Sequence, residues 1–219
     1  MKVILFGATG MVGQGALREC LVDPQVEVVL SVGRSGLGQQ HPKLQELVVP
    51  DLFDLEASAS RLEGFDATLF CLGASSGGMS EADYRRLTYD LTIAVARTLV
   101  RLNPNMTFVF VSGAGTDGTE SGRTMWARVK GATENALLRM PFKAAYMFRP
   151  GAIRPLHGIR SKTAAYRITY LLTAPVLPLL QRMLPTLMTT TEQLGRAMLR
   201  AARDGAPKRI LETRDINAL

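Results

Sequence analysis

The chain has 219 residues, 47% apolar and 21% charged, a balance that supports a sizeable core and excludes wholesale disorder. Two cysteines, Cys20 and Cys71, and two histidines exclude a disulfide scaffold and leave too few ligands for a structural zinc site, so no metal is expected. The net charge of +7 is uneven: residues 1–138 carry −3 and residues 139–219 carry +10, which points to an anionic ligand, membrane or partner near the C-terminal third.

Met1-Lys2 leads straight into an apolar run without the pattern of a secretory signal, and the expectation is a cytoplasmic protein. Val3–Phe6 reads as a buried strand, followed by a glycine turn and a helix from Met11 to about Val22. Val26–Val32, Leu44–Val49, Ala67–Leu72, Thr107–Ser112 and Ala144–Phe148 are further near-continuous apolar runs. Strands of this kind are covered on both faces, as in a parallel sheet. Helical patterns at about 81–102 and 123–139 separate the later strands. The alternation predicts an α/β fold, a Rossmann-like doubly wound parallel sheet. Residues 1–151 are expected to form its core. Residues 152–219 are expected as a C-terminal extension making a small, mostly helical substrate lobe, not an independent domain. Within it Pro155, Pro175, Pro178 and Pro185 break the pattern. A helix resumes after Thr190, whose hydroxyl and Gln193 three residues on have capping-box spacing, and Arg209–Glu212 has the composition of a short last strand.

Gly7-Ala8-Thr9-Gly10-Met11-Val12-Gly13 lies directly between the first strand and the first helix. Glycines there let the backbone approach a pyrophosphate, whose charge then meets free N–H groups at the helix N-terminus. Gly7, Thr9, Gly10, Met11, Val12 and Gly13 are the expected cradle. The second strand ends Gly33-Arg34-Ser35, without the acid that would accept ribose hydroxyls. Arg34 offers a guanidinium suited to a 2′-phosphate and Ser35 a hydroxyl, so the expected cofactor is NADP. Asp51 and Leu52, after the third strand, are placed to meet the adenine edge.

These residues resemble the short-chain dehydrogenase/reductase superfamily, in its extended and atypical branches, with likeness to Tat-interacting-protein-type and NmrA-like oxidoreductase-fold proteins. The resemblance covers residues 1 to about 151 well and the remainder loosely. It implies an NAD(P)-binding Rossmann fold with Cys71, Leu72 and Gly73 beside the nicotinamide ribose. It implies Ser112 at the position of the catalytic serine, Lys130 at that of the lysine, and Pro150 and Gly151 in the turn at the carboxamide. The Tyr-x-x-x-Lys motif is altered: Trp126-Ala127-Arg128-Val129-Lys130 puts Trp126 where the family has its proton-donating tyrosine. An indole N–H donates a hydrogen bond but gives up no proton near neutral pH. Tyr89 and Asp90 read as structural, His157 as a loop residue, and both cysteines as buried thiols.

Two functions follow. One is an NADP(H)-binding oxidoreductase or epimerase-like enzyme acting on a small-molecule substrate, with Ser112, Lys130 and Trp126 at its centre. The other is a non-catalytic NADPH-binding regulator or sensor, peripheral to a membrane through the basic apolar residues 160–188. There Arg160, Lys162, Arg167 and Arg182 flank the uncharged Ile168–Gln181 stretch, too short to span a bilayer. No recognition-helix motif accompanies the charge, and no nucleic-acid partner is expected.

Overall fold

The computed structural model describes residues 1–159 and 186–219. Its framework is a seven-stranded, all-parallel sheet in the order β3-β2-β1-β4-β5-β6-β9. The strands are β1 (Lys2–Phe6), β2 (Val28–Gly33), β3 (Leu44–Val48), β4 (Ala67–Phe70), β5 (Thr107–Val111), β6 (Ala144–Arg149) and β9 (Ile210–Glu212). The first six follow the doubly wound order in which the chain reverses direction across the sheet between β1 and β4. Crossing over between them are α1 (Met11–Val22), α2 (Glu81–Arg85), a π turn (Arg86–Asp90), α3 (Leu91–Leu102) and α4 (Met125–Leu138). The π turn makes 81–102 one interrupted helix, with Tyr89 and Asp90 inside the interruption.

Strand side chains alternate between the two faces with period two, and the core divides accordingly. Val3, Leu5, Val29, Val109 and Val111 belong to the core on the face that carries α1, whereas Ile4, Phe6, Leu30, Phe108 and Phe110 pack on the opposite face. On that second face Phe70 sits against Phe6, Phe108 and Phe110 at ring-centroid distances of 5.4, 5.8 and 6.1 Å.

After β6 the chain forms β7 (Ala152–Arg154), which pairs in parallel with β8 (Met188–Thr190) as a separate two-stranded sheet. It then continues into α5 (Thr191–Asp204), β9 and α6 (Thr213–Ala218). Residues 188–219 pack on the main sheet. α5 lies on α1, and Leu194, Met198 and Leu211 belong to the same core as Val3 and Leu5. The α1–α5 crossing is close because both sides are small: a side chain on Gly15 would begin 2.7 Å from the Thr191 carbonyl oxygen. Thr190 caps α5 through its hydroxyl, which accepts from the Gln193 N–H at 3.0 Å. The readings made on residues 160–185, including the basic ends of the Ile168–Gln181 stretch, lie outside the described residues. Among the described residues no helix is long and apolar enough to cross a membrane.

Candidate nucleotide site

Parallel strands leave their C-terminal ends together, and in an open α/β sheet the crevice at the chain reversal is the place for a ligand. Here that crevice lies between β1 and β4. The glycine loop closes its floor for steric reasons. Gly7 has φ +81°, and a Cβ there would begin 2.7 Å from the Cys71 carbonyl carbon. A Cβ on Gly13 would begin 2.0 Å from the Gly7 oxygen. No side chain larger than hydrogen fits at either position, so the loop stays flush with the strand ends. Gly10 precedes α1 without a side-chain cap and no acid occupies the first turn, so the positive end of the helix dipole is left for an anion. These residues fit a dinucleotide pyrophosphate.

Two connected hollows flank the loop. The first, about 380 Å³, is lined by Gly7, Thr9, Ser31, Gly33, Arg34, Ser35 and Leu52 among others. The second, about 560 Å³, is lined by Gly10, Met11, Val12, Cys71, Leu72, Gly73, Ser112, Lys130, Pro150 and Gly151. Arg34 lines both. The structure thus gathers most of the sequence-derived site residues along one cleft. Ala8, Val32 and Leu37 in the first hollow, and Val111 and Ile153 in the second, were not singled out. Their apolar side chains carry no signal that separates cleft wall from core.

Three residues lie elsewhere. Asp51 is exposed and its Oδ1 accepts the Phe53 N–H at 2.9 Å, an Asx turn that occupies the carboxylate; Leu52 alone of the pair lines the cleft. Trp126 is half-buried one helical turn before Lys130, its ring edge 3.5 Å from where a side chain on Gly115 would begin, and it is not part of the cleft lining. His157, with φ +56°, pairs with Glu192 at 2.5 Å and faces a different groove beside α1.

Inside the second hollow, the Lys130 Nζ donates to the Ser112 backbone oxygen at 2.9 Å and stands 6.0 Å from the centre of the Phe110 ring. Burial lowers its pKa from 10.5 to about 8, with the Glu134 carboxylate pulling the other way. The Ser112 hydroxyl shares a hydrogen bond with Thr116 at 2.9 Å, and Thr116 in turn donates to the Gly113 carbonyl. Thr116 is a partner that sequence reasoning missed, although its spacing of four from the strand end places it within reach. Burial raises the pKa of Cys71, so its thiol stays protonated; Cys20, on α1, is likewise pushed up to about 12. Arg149, the last residue of β6, is not part of the cleft lining. It fastens α4 to β6 and β9 by pairing with buried Glu134 at 2.5 Å and with Glu212 at 3.2 Å. Among the described residues no cluster of His, Cys, Asp and Glu is arranged to hold a metal.

No protein-family model matches the sequence. The fmp52-2 protein of Aspergillus oryzae is 30% identical over 153 residues, 68% of this chain and 66% of that protein. The HTATIP2 protein of Rattus norvegicus is 26% identical over 154 residues, 69% and 62% respectively. The alignments with the FMP52 proteins span 65–66% of those relatives, just under two thirds. These relatives are named as mitochondrial proteins, and this overturns the expectation of a cytoplasmic location. Among solved structures, Candida albicans Gre2 in complex with NADPH superposes with a TM-score of 0.72 at 14% identity, covering 97% of this chain and 78% of that one. Bordetella bronchiseptica WbmF in complex with NAD+ gives 0.67 at 14% identity, covering 99% and 76%. The chain therefore has the Rossmann-like α/β fold of these nucleotide-bound structures, and in sequence it is similar to the FMP52 and HTATIP2 proteins.

Proposed function

We propose that this chain is an NADP(H)-dependent oxidoreductase or epimerase-like enzyme for a small-molecule substrate. The observation that carries the reading is Arg34, the one charged side chain at the end of β2, which lines both hollows of a cleft whose glycine floor fits a pyrophosphate. A guanidinium there matches a 2′-phosphate, and an NAD site would put an acid in its place. Gly7, Thr9, Gly10, Met11, Val12 and Gly13 would hold the pyrophosphate, and Arg34 and Ser35 the 2′-phosphate. Leu52 would meet the adenine, Cys71, Leu72 and Gly73 the nicotinamide-side ribose, and Pro150 and Gly151 the carboxamide. When bound, the cofactor supplies or accepts a hydride. The chain's own part is to exclude water from the nicotinamide half, orient the substrate oxygen with the Ser112 hydroxyl, and manage a proton beside it.

Titration calorimetry tests the cofactor choice. NADPH should bind at least tenfold more tightly than NADH. Arg34→Asp should weaken NADPH by about 1.5–3 kcal/mol, the worth of a hydrogen bond to a charged group, with a much smaller effect on NADH. Equal affinities in the unmutated protein would contradict the reading. The second reading, a cofactor-binding regulator without turnover, is favoured by Trp126 in the place of the family's tyrosine. It predicts NADPH binding with no cofactor oxidation on any carbonyl substrate.

A further inference from the structure

We propose that Lys130 itself is the proton donor for carbonyl reduction at this cleft, acting on an aldehyde or ketone. The inference rests on the nucleotide-site reading and adds the acid that the altered motif removes. Its grounds are geometric. Of the described residues lining the nicotinamide half, Arg34, Cys71 and Lys130 are the ones with titratable side chains. A guanidinium binds anions as a fixed hydrogen-bonding fork and is not a proton donor, and burial holds the Cys71 proton in place. Lys130 spends one N–H on the Ser112 carbonyl at 2.9 Å, so an ammonium there has two more donors to offer. The same contact sets Nζ at the end of β5, beside the serine that would orient the substrate oxygen.

The charged neighbours leave that proton available. Glu134, one turn along α4, is paired with Arg149 from β6. Arg128, also on α4, is paired with Glu81 of α2. Asp117, in the loop before α4, is held by Thr119 and Gly122. From α2, buried Tyr84 has its pKa raised by desolvation and stays neutral. Lys130 therefore stands without a dedicated counter-ion, and its burial brings it to about 8, near the operating range of a general acid.

In the reaction a hydride adds to the carbonyl carbon, the C=O π pair moves to oxygen, and the O–H bond forms as a Nζ–H bond breaks. The products are an alcohol, neutral Lys130 and the oxidised dinucleotide. Lys130 then regains a proton from water.

The test uses the full chain with NADPH and 4-nitrobenzaldehyde as probes. NADPH oxidation should fall as pH rises through about 8. Lys130→Arg keeps the charge and the hydrogen bonds but cannot release a proton. It should still bind NADPH, lose about 100-fold in rate, and lose the pH step. A second readout needs no turnover: the ¹³Cε signal of Lys130, identified by its absence in Lys130→Arg, should titrate near 8 in the NADP+ complex. NADPH bound without aldehyde-dependent oxidation, a Lys130→Arg protein with unmutated rate and pH step, or a Lys130 signal titrating at 10 or above each overturns the proton-donor role alone. Failure of the unmutated protein to bind NADPH overturns the nucleotide-site reading as well.

Discussion

Lys130 and Glu134 stand one helical turn apart on α4, yet they do not pair: Glu134 gives both carboxylate oxygens to Arg149, and Lys130 donates to the Ser112 backbone instead. An i,i+4 acid normally stabilises a lysine's charge. Here the acid's hydrogen-bonding capacity is taken up, and desolvation outweighs its field, so Lys130 is held near 8.

This arrangement makes stability depend on pH with a definite sign. Between about pH 8 and 9 the folded chain has released the Lys130 proton while the unfolded chain, at the ordinary 10.5, retains it. The lysine proton alone would raise stability by about 1 kcal/mol per unit there. The thiols of Cys20 and Cys71, ordinarily at 9.0 when unfolded, already offset much of it, leaving a net rise of about a few tenths of a kcal/mol. Above about 9 the thiols of Cys20 and Cys71, raised by burial, ionise only in the unfolded chain and pull stability down. Urea midpoints at pH 7.5, 8.5 and 9.5 should show the rise and then the reversal. Lys130→Met should abolish the rise and leave the fall.

Glu134 is fully buried, and its partner Arg149 is largely so. Removing one member of such a pair strands the other charge. Glu134→Ala should cost about 3 kcal/mol or more, and Arg149→Met in addition should return much of it, because an apolar replacement for a buried ion pair is often neutral. Chemical denaturation of the single and double variants checks this. A loss under about 1 kcal/mol for Glu134→Ala would mean that Glu212 alone satisfies the arginine.

Trp126 packs on the loop at Gly115 and stays out of the cleft lining. Trp126→Ala should lower stability by about 2 kcal/mol, roughly half the cost of deleting a fully buried aromatic. NADPH affinity should stay within about twofold. A large loss of affinity in calorimetry, with the urea midpoint unmoved, would place the indole at the cofactor.

Local signals accounted for much of the architecture. The first helix runs from Met11 to Val22 as its pattern indicates, and each of the six apolar runs holds a strand. The glycine loop is legible because its chemistry is contiguous. What escaped depends on contacts distant in sequence. β7 and β8 have three residues each and lie more than 30 residues apart, too short for periodicity to register. The return of α5 and β9 to the main core rests on Gly15 meeting Thr191 and on β9 pairing with β6, neither visible in the segment itself. The pairing of Arg149 with Glu134 was likewise out of reach, because Glu134 is a buried acid on another element. Asp51 misled because an acid after a strand satisfies its own turn as readily as a ligand.

The central claim is that one cleft, from Arg34 across the glycine loop to Lys130, holds a phosphorylated nicotinamide dinucleotide. Hydrogen-exchange mass spectrometry of the full chain with and without NADPH reads that cleft in one measurement. The account predicts added protection at 7–13, 31–35, 71–73, 112–116 and 150–151, with NADH giving the same pattern only at much higher concentration. Protection confined to the α1 groove around Arg18, His41 and His157, or none anywhere, would contradict it.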